Sequence, residues 1–228
     1  MLDDPQDLRA AVAAYRAAAT GAGLAWPDPA EAPAAPPDPF VHELFAVDRI
    51  PASLTWLKSQ PWHSRRLLPD GGELLPWPAD PGEALDSLGF AIGTPFPWRQ
   101  QVPLFRFDLI LFTFVLGAGH EGEVWRYEFT PDAWDTVRAA DSVASLFTTW
   151  ASAITAGLIS RDALNGRLQV GEPRDADPLA FPPSVTHYPL LRQRQRECGV
   201  DLDCIDRGFD CHEELFSEIN AARSALGV

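Results

Sequence analysis

"GEVWRYEFTPDAWDTVRAADSVASLFTTW", residues Gly122 to Trp150, is the stretch whose reading decides the fold. Trp125, Tyr127 and Phe129 fall on one face of an extended chain and Val124, Arg126 and Glu128 on the other, the period of a half-buried strand. "TPDAW" then supplies a turn, followed by a short strand near Trp134 to Arg138. Asp141 or Ser142 is placed to cap a helix. Val143, Leu146, Phe147, Trp150, Ala151 and Ile154 form its apolar stripe, and Gly157 ends it.

Upstream lies the apolar run "VPLFRFDLILFTFVLG", 102–117, which carries Arg106 and Asp108 early and is then continuously apolar, as a strand buried on both faces would be. Phe105–Leu116 is expected to pair with Gly122–Phe129 as an antiparallel hairpin with 117–121 at its tip. "GAGHEG", Gly117 to Gly122, has the G-x-G-x-x-G spacing of a dinucleotide site. That motif needs a helix to start at the glycines, and here a strand follows, so a glycine-rich hairpin loop is the better reading.

"ELLPWP" offers a first short strand, and "FVHELFAVDRIPASLTWLKSQPWH" reads as short helical turns broken at Pro51 and Pro61. Asp4 and Pro5 open an amphipathic helix with Leu8, Ala11, Val12 and Tyr15 on one face, which stops near Gly21 and Gly23. Leu24 to Pro39 carries six prolines and no basic residue, the composition of an extended connector. A second proline-rich connector opens the last third, and a final helix has Asp210 and Glu213 in capping-box spacing, with Leu215, Phe216, Ile219, Ala222 and Leu226 as its apolar stripe.

The pattern predicts an α+β class: a mostly antiparallel sheet packed by helices on one side, with helical N- and C-terminal appendages. The expected divisions are a helix over 1–23, a linker over 24–39, a core over 40–171, and a connector with helices over 172–228.

The chain of 228 residues carries 32 Asp and Glu against 18 Lys and Arg, a net charge of −14. Such a balance repels nucleic acid and anionic membrane and attracts a basic partner. The opening "MLDDPQDLRA" is acidic where a secretory signal is basic and then apolar, and no run of about 18 apolar residues exists, so a cytoplasmic location is expected. The acidity is clustered. From 67 to 98 stand Asp70, Glu73, Asp80, Glu83 and Asp86 with no basic residue; from 197 to 218, Asp201, Asp203, Asp206 and five more acids face Arg207 alone.

Cys198, Cys204, Cys211 and His212 could fill a tetrahedral zinc shell, but their gaps are longer than those of structural zinc sites. A buried cysteine pair, or one disulfide with a spare thiol, is the more ordinary outcome for such spacing. Asp201, Asp203, Asp206 and Asp210 lack the glycine and glutamate of a calcium loop. His120 beside Glu121 offers a candidate base on a loop where a solvated histidine is commonplace. No nucleophile elbow, H-E-x-x-H pair or P-loop is present, so neither catalytic residue, metal nor cofactor is assigned. The tryptophans, Trp98 and Trp125 among them, are expected in the core rather than on a stacking platform.

"LLPW", 74–77, and "EGEVWRYEFTPDAWDTVRAADSVASLFTTWASAITAGL", 121–158, together resemble the pattern of the SUKH superfamily. In that pattern a strand, a polar turn and an aromatic-bearing strand lead into a helix that opens on Ser. The matching positions are Trp125 to Phe129, Trp134, Ser142, Leu146, Phe147 and Trp150, within a span of about 66–158. The 24–39 linker and residues 172–228 have no counterpart in it. The resemblance implies a non-enzymatic α+β domain whose relatives are mostly bacterial immunity proteins that neutralise a toxin, commonly a nuclease, with some regulators of cell-wall synthesis. An acidic protein would suit the basic cleft of such a toxin, and Asp70, Glu73, Asp80, Glu83, Asp86, Asp201, Asp203 and Asp206 are the candidate contacts. A regulatory module of the same fold with another partner, and a small metal-dependent enzyme using the Cys and His cluster, are the competing readings.

Overall fold

The computed structural model describes residues 5–26, 37, 39–62, 66–117, 119–128, 135–171 and 191–228. Asp4, Phe129, Trp134, most of the first linker and nearly all of the second connector lie outside them.

Five strands form one antiparallel meander in sequence order: β1 Glu73–Leu74, β2 Gln101–Phe107, β3 Ile110–Val115, β4 Val124–Glu128 and β5 Val137–Ala140. The expected hairpin is present, with Ile110 opposite Glu128 and Phe114 opposite Val124. The single long strand over 102–116 is not. The run folds back at Asp108 and Leu109, where Asp108 takes φ 52°, so Phe107 pairs with Ile110 and the apolar block becomes two adjacent strands. Aspartate tolerates the left-handed region, and that local signal outranks the continuous hydrophobicity around it. β4 departs from half-burial too. Val124 through Tyr127 are all buried, because Arg126 is neutralised inside the protein by Asp135. β4 then takes the place that a dinucleotide site would give to a helix.

Helix α5, Val143–Thr155, opens on a capping box: the Ser142 hydroxyl accepts from the Ser145 amide, and the Ser145 hydroxyl from the Ser142 amide. Its Phe147 and Trp150 lie on Phe105 and Phe107 of the sheet. Ala153 is buried where the sequence pattern placed Ala151, which is only half-buried. Helix α1, Pro5–Gly21, packs across α5 with Tyr15 against Phe147 and Trp150. The N-terminal helix therefore shares the core of its own chain, and the Tyr15 hydroxyl donates to the Leu67 carbonyl.

Short helices α2, Phe40–Leu44, and α3, Ala52–Lys58, precede β1, and α4, Pro81–Ser87, follows it. A two-stranded sheet, β6 Ile159–Arg161 and β7 Leu168–Val170, leads out of α5. The C-terminal part is α6 Leu191–Glu197, α7 Leu202–Arg207 and α8 Phe209–Leu226. The Asp210 and Glu213 capping box does not form. α8 starts at Phe209 directly after Gly208, without a side-chain cap, and the capping carboxylate is that of Asp201 at the head of α7.

Candidate partner-binding surface

Most of the candidate carboxylates hold the fold together. Asp80 caps α4, accepting from the Gly82 and Glu83 amides, and Asp201 caps α7, accepting from the Asp203 and Cys204 amides. Asp70 accepts from the Val170 amide at 3.1 Å and so ties β7 to the 3₁₀ turn Pro69–Gly71; burial pushes its carboxyl above the usual range. Asp86 takes Arg223 of α8, and Asp206 takes Arg192 of α6. Glu73 stands on β1 across from Arg106. Glu83 and Asp203 are exposed on the first turns of α4 and α7.

The two acid-rich stretches, more than 100 residues apart, meet along one seam. α4 packs against α8. Gly89 lies against the Phe216 ring so closely that a Cβ there would sit 2.6 Å from Cε2. The Gly93 carbonyl accepts from the Asp201 amide, and Trp98 Nε1 donates to Glu218 at 2.7 Å. Between the 91–98 segment and α7–α8 runs a groove of about 310 Å³, with Phe96, Trp98 and Leu215 as its apolar lining and Glu214 and Glu218 at its edge. Arg207 spans to Glu214 beside it. The surface is thus acidic but braced: Arg192, Arg207 and Arg223 each neutralise one carboxylate, and Asp203, Asp210, Glu213 and Glu83 remain exposed.

The cysteine cluster resolves as one disulfide and one thiol. Cys204 and Cys211 bridge α7 to α8 across Gly208, while the half-buried Cys198 thiol donates to the Gln195 carbonyl and burial raises its pKa. His212 turns to Phe90 and Phe216. Among the described residues no group of three or more His, Cys, Asp or Glu is arranged to hold a metal ion.

His120 binds Glu123 rather than its sequence neighbour Glu121, whose carboxylate accepts from the Gly119 amide. Glu123 collects His120 Nδ1, Trp125 Nε1 and Arg138 Nη1, each within 2.9 Å. Burial alone would raise its carboxyl, but the three donors outweigh it and hold it below the ordinary carboxylate range. The loop histidine thereby holds Glu123, and it is Glu123 through Trp125 and Arg138 that braces β4 to β5.

Lys58, the only lysine, went unassigned in the sequence and is 3% exposed. Its ammonium donates to the carbonyls of Leu75, Pro76 and Pro103, near the face of Trp77. Prolines 76 and 103 have no N–H to continue a ladder, so carbonyls at that sheet edge need an outside donor. Burial pushes the amine down to about 7. The available signal was limited to a lone lysine in an apolar segment, since Pro76 and Pro103 are 18 and 45 residues away and meet Lys58 only through packing.

No protein-family model and no curated protein matches the chain.

Proposed function

We propose that this chain is an immunity-type protein of the SUKH kind, working in the cytoplasm as a non-catalytic binder that neutralises a basic bacterial toxin. A nuclease is the toxin class whose polyanionic substrate demands a basic cleft. The observation that carries the reading is the seam of α4 with α7 and α8, which joins two acid-rich stretches into one surface with Glu83, Asp203, Asp210 and Glu213 exposed. The α+β meander closed by the Ser142-capped helix supports the family resemblance. A field from several carboxylates speeds encounter with a basic partner and fades as added salt shortens the Debye length, about 10 Å at 0.1 M.

The test is binding of the purified protein to a toxin encoded beside its gene, with toxin activity measured in parallel. Inhibition is expected, with association slowing steeply from low to high salt while dissociation changes little. A toxin left fully active, or association indifferent to salt, would remove the reading. No helix among the described residues is long and apolar enough to cross a membrane.

A further inference from the structure

We infer that the first two turns of α8 form an aromatic docking strip for a basic protein segment bearing an apolar anchor. Phe209, His212 and Phe216 recur at i, i+3 and i+7, which places them on one face of the helix. His212 and Phe216 are in edge contact at 4.7 Å, and Phe90 from the neighbouring 3₁₀ turn lies 6.1 Å from His212. The ring contacts join Phe90, His212 and Phe216, half-buried, across the α8 seam, and Phe209, 66% exposed, stands one helical turn before His212 on the same face.

A single exposed apolar side chain such as Leu164 is ordinary, but Phe209 stands one turn from an anchored aromatic cluster, and aromatic residues are enriched at protein interfaces relative to the rest of the surface. Charge selects the occupant. Arg207, two residues before Phe209, is paired with Glu214 and lies in the field of Asp210, while Arg192 and Arg223 are neutralised by Asp206 and Asp86, so Asp210 and Glu213, both exposed, leave the strip net negative. A partner must bring positive charge for these carboxylates and a leucine-like or aromatic side chain for Phe209. This deepens the proposed function by naming the partner's contact chemistry, and it rests on that reading only for the partner being a toxin.

The probe is a fluorescein-labelled helical peptide carrying four arginines and four leucines one turn apart, with a matched peptide in which each leucine is serine. Binding is followed by anisotropy. Phe209→Ser, at an exposed position, should leave thermal unfolding unchanged and weaken the leucine peptide by about tenfold, the size of a modest hot spot. The serine peptide should bind the native protein about tenfold more weakly, and Asp210→Asn with Glu213→Gln should flatten the salt dependence. Leu164→Ser, a control on the 98% exposed tip of the β6–β7 hairpin, should change nothing. Equal binding by Phe209→Ser, or by the serine peptide, overturns the strip. So does concentration-dependent dimerisation that Phe209→Ser abolishes, which would make the strip a contact between copies. A toxin neutralised equally well by Phe209→Ser overturns the strip and leaves the proposed function standing; leucine-peptide binding that needs Phe209, with no toxin neutralised, does the reverse.

Discussion

Asp86 on α4 holds Arg223 on α8 through both carboxylate oxygens, each 2.7 Å from Nη1, across 137 positions of sequence. The pair pins the last helix to the core beside Gly82, where a Cβ would sit 3.2 Å from the guanidinium. Both partners are partly exposed, so solvent screens the attraction, and its value lies in setting how α8 sits.

The pair decides how the acidic surface can be dissected. Asp86→Asn should cost less than about 1 kcal/mol, as exposed ion pairs do. Reversing Asp80, Glu83 and Asp86 together should cost more, because it removes the α4 cap, worth about 1 kcal/mol, and sets a new cation against Arg223. Glu83→Lys alone should stay within about 0.5 kcal/mol of the native protein. Urea unfolding of the three variants checks the order; a triple reversal no worse than Glu83→Lys would mean that the carboxylates do not brace α4 and α8.

Trp150 is fully buried among Tyr15, Phe105, Phe107 and Phe147. Trp150→Ala should destabilise by about 3–5 kcal/mol, since neighbours from α1, β2 and α5 cannot all collapse into the void. Equilibrium unfolding measures it. A loss under about 1 kcal/mol would mean that α5 does not lie on the sheet as described.

The α5 end of the molecule was legible because cap, stripe and stop coincide there, with Ser142, Phe147 and Trp150, and Gly157 agreeing on one helix. The 102–116 run was misread because hydrophobic density hides a two-residue turn when both strands are buried, and Asp108 was the sole marker. At the candidate surface the sequence gives charge but not pairing. Asp86 and Arg223, or Trp98 and Glu218, are joined by tertiary packing, and nothing local in either segment announces the other. Capping was legible in kind but not in place: α8 starts at Phe209 straight after Gly208, φ 49°, so the Asp210 and Glu213 spacing falls inside the helix, and the side-chain cap belongs to Asp201 on the separate helix α7.

The Cys204–Cys211 disulfide closes a loop with a sequence separation of seven residues and fixes α7 against α8. Constraining so short a loop in the unfolded chain is worth about 2–3 kcal/mol. A thiol reductant should therefore lower the urea midpoint of the native protein and leave that of Cys204→Ser with Cys211→Ser unchanged. Such a bond persists in an oxidising compartment, and in a reducing cytoplasm both residues would be thiols. A native midpoint indifferent to reductant would show that the bond contributes no stability.

Glu123 gives the protein a specific acid sensitivity. Its carboxylate only accepts, so His120 Nδ1, Trp125 Nε1 and Arg138 Nη1 all donate to it, and together they hold it below its ordinary value of 4.5. The unfolded chain then takes up a proton at a higher pH than the folded one. In that window the unfolded state binds more protons, so stability falls as pH drops from about 4.5 through the folded value, and the contribution is complete only above about 4.5, where the unfolded chain is also ionised. Glu123→Gln keeps the shape but gives up the charge and turns an N–H toward a donor. It should be about 1–2 kcal/mol less stable than the native protein at pH 7, the size of a lost charge-assisted hydrogen bond. As pH falls below 4.5 the unfolded carboxyl protonates first and the native one only further down, where it comes to resemble the amide, so the two stability curves should converge. Urea unfolding at pH 7, 5, 4 and 3 follows both proteins through that window. Curves that stay parallel down to pH 3 would mean that Glu123 is not held low by these donors, and the brace between β4 and β5 would lose its electrostatic basis.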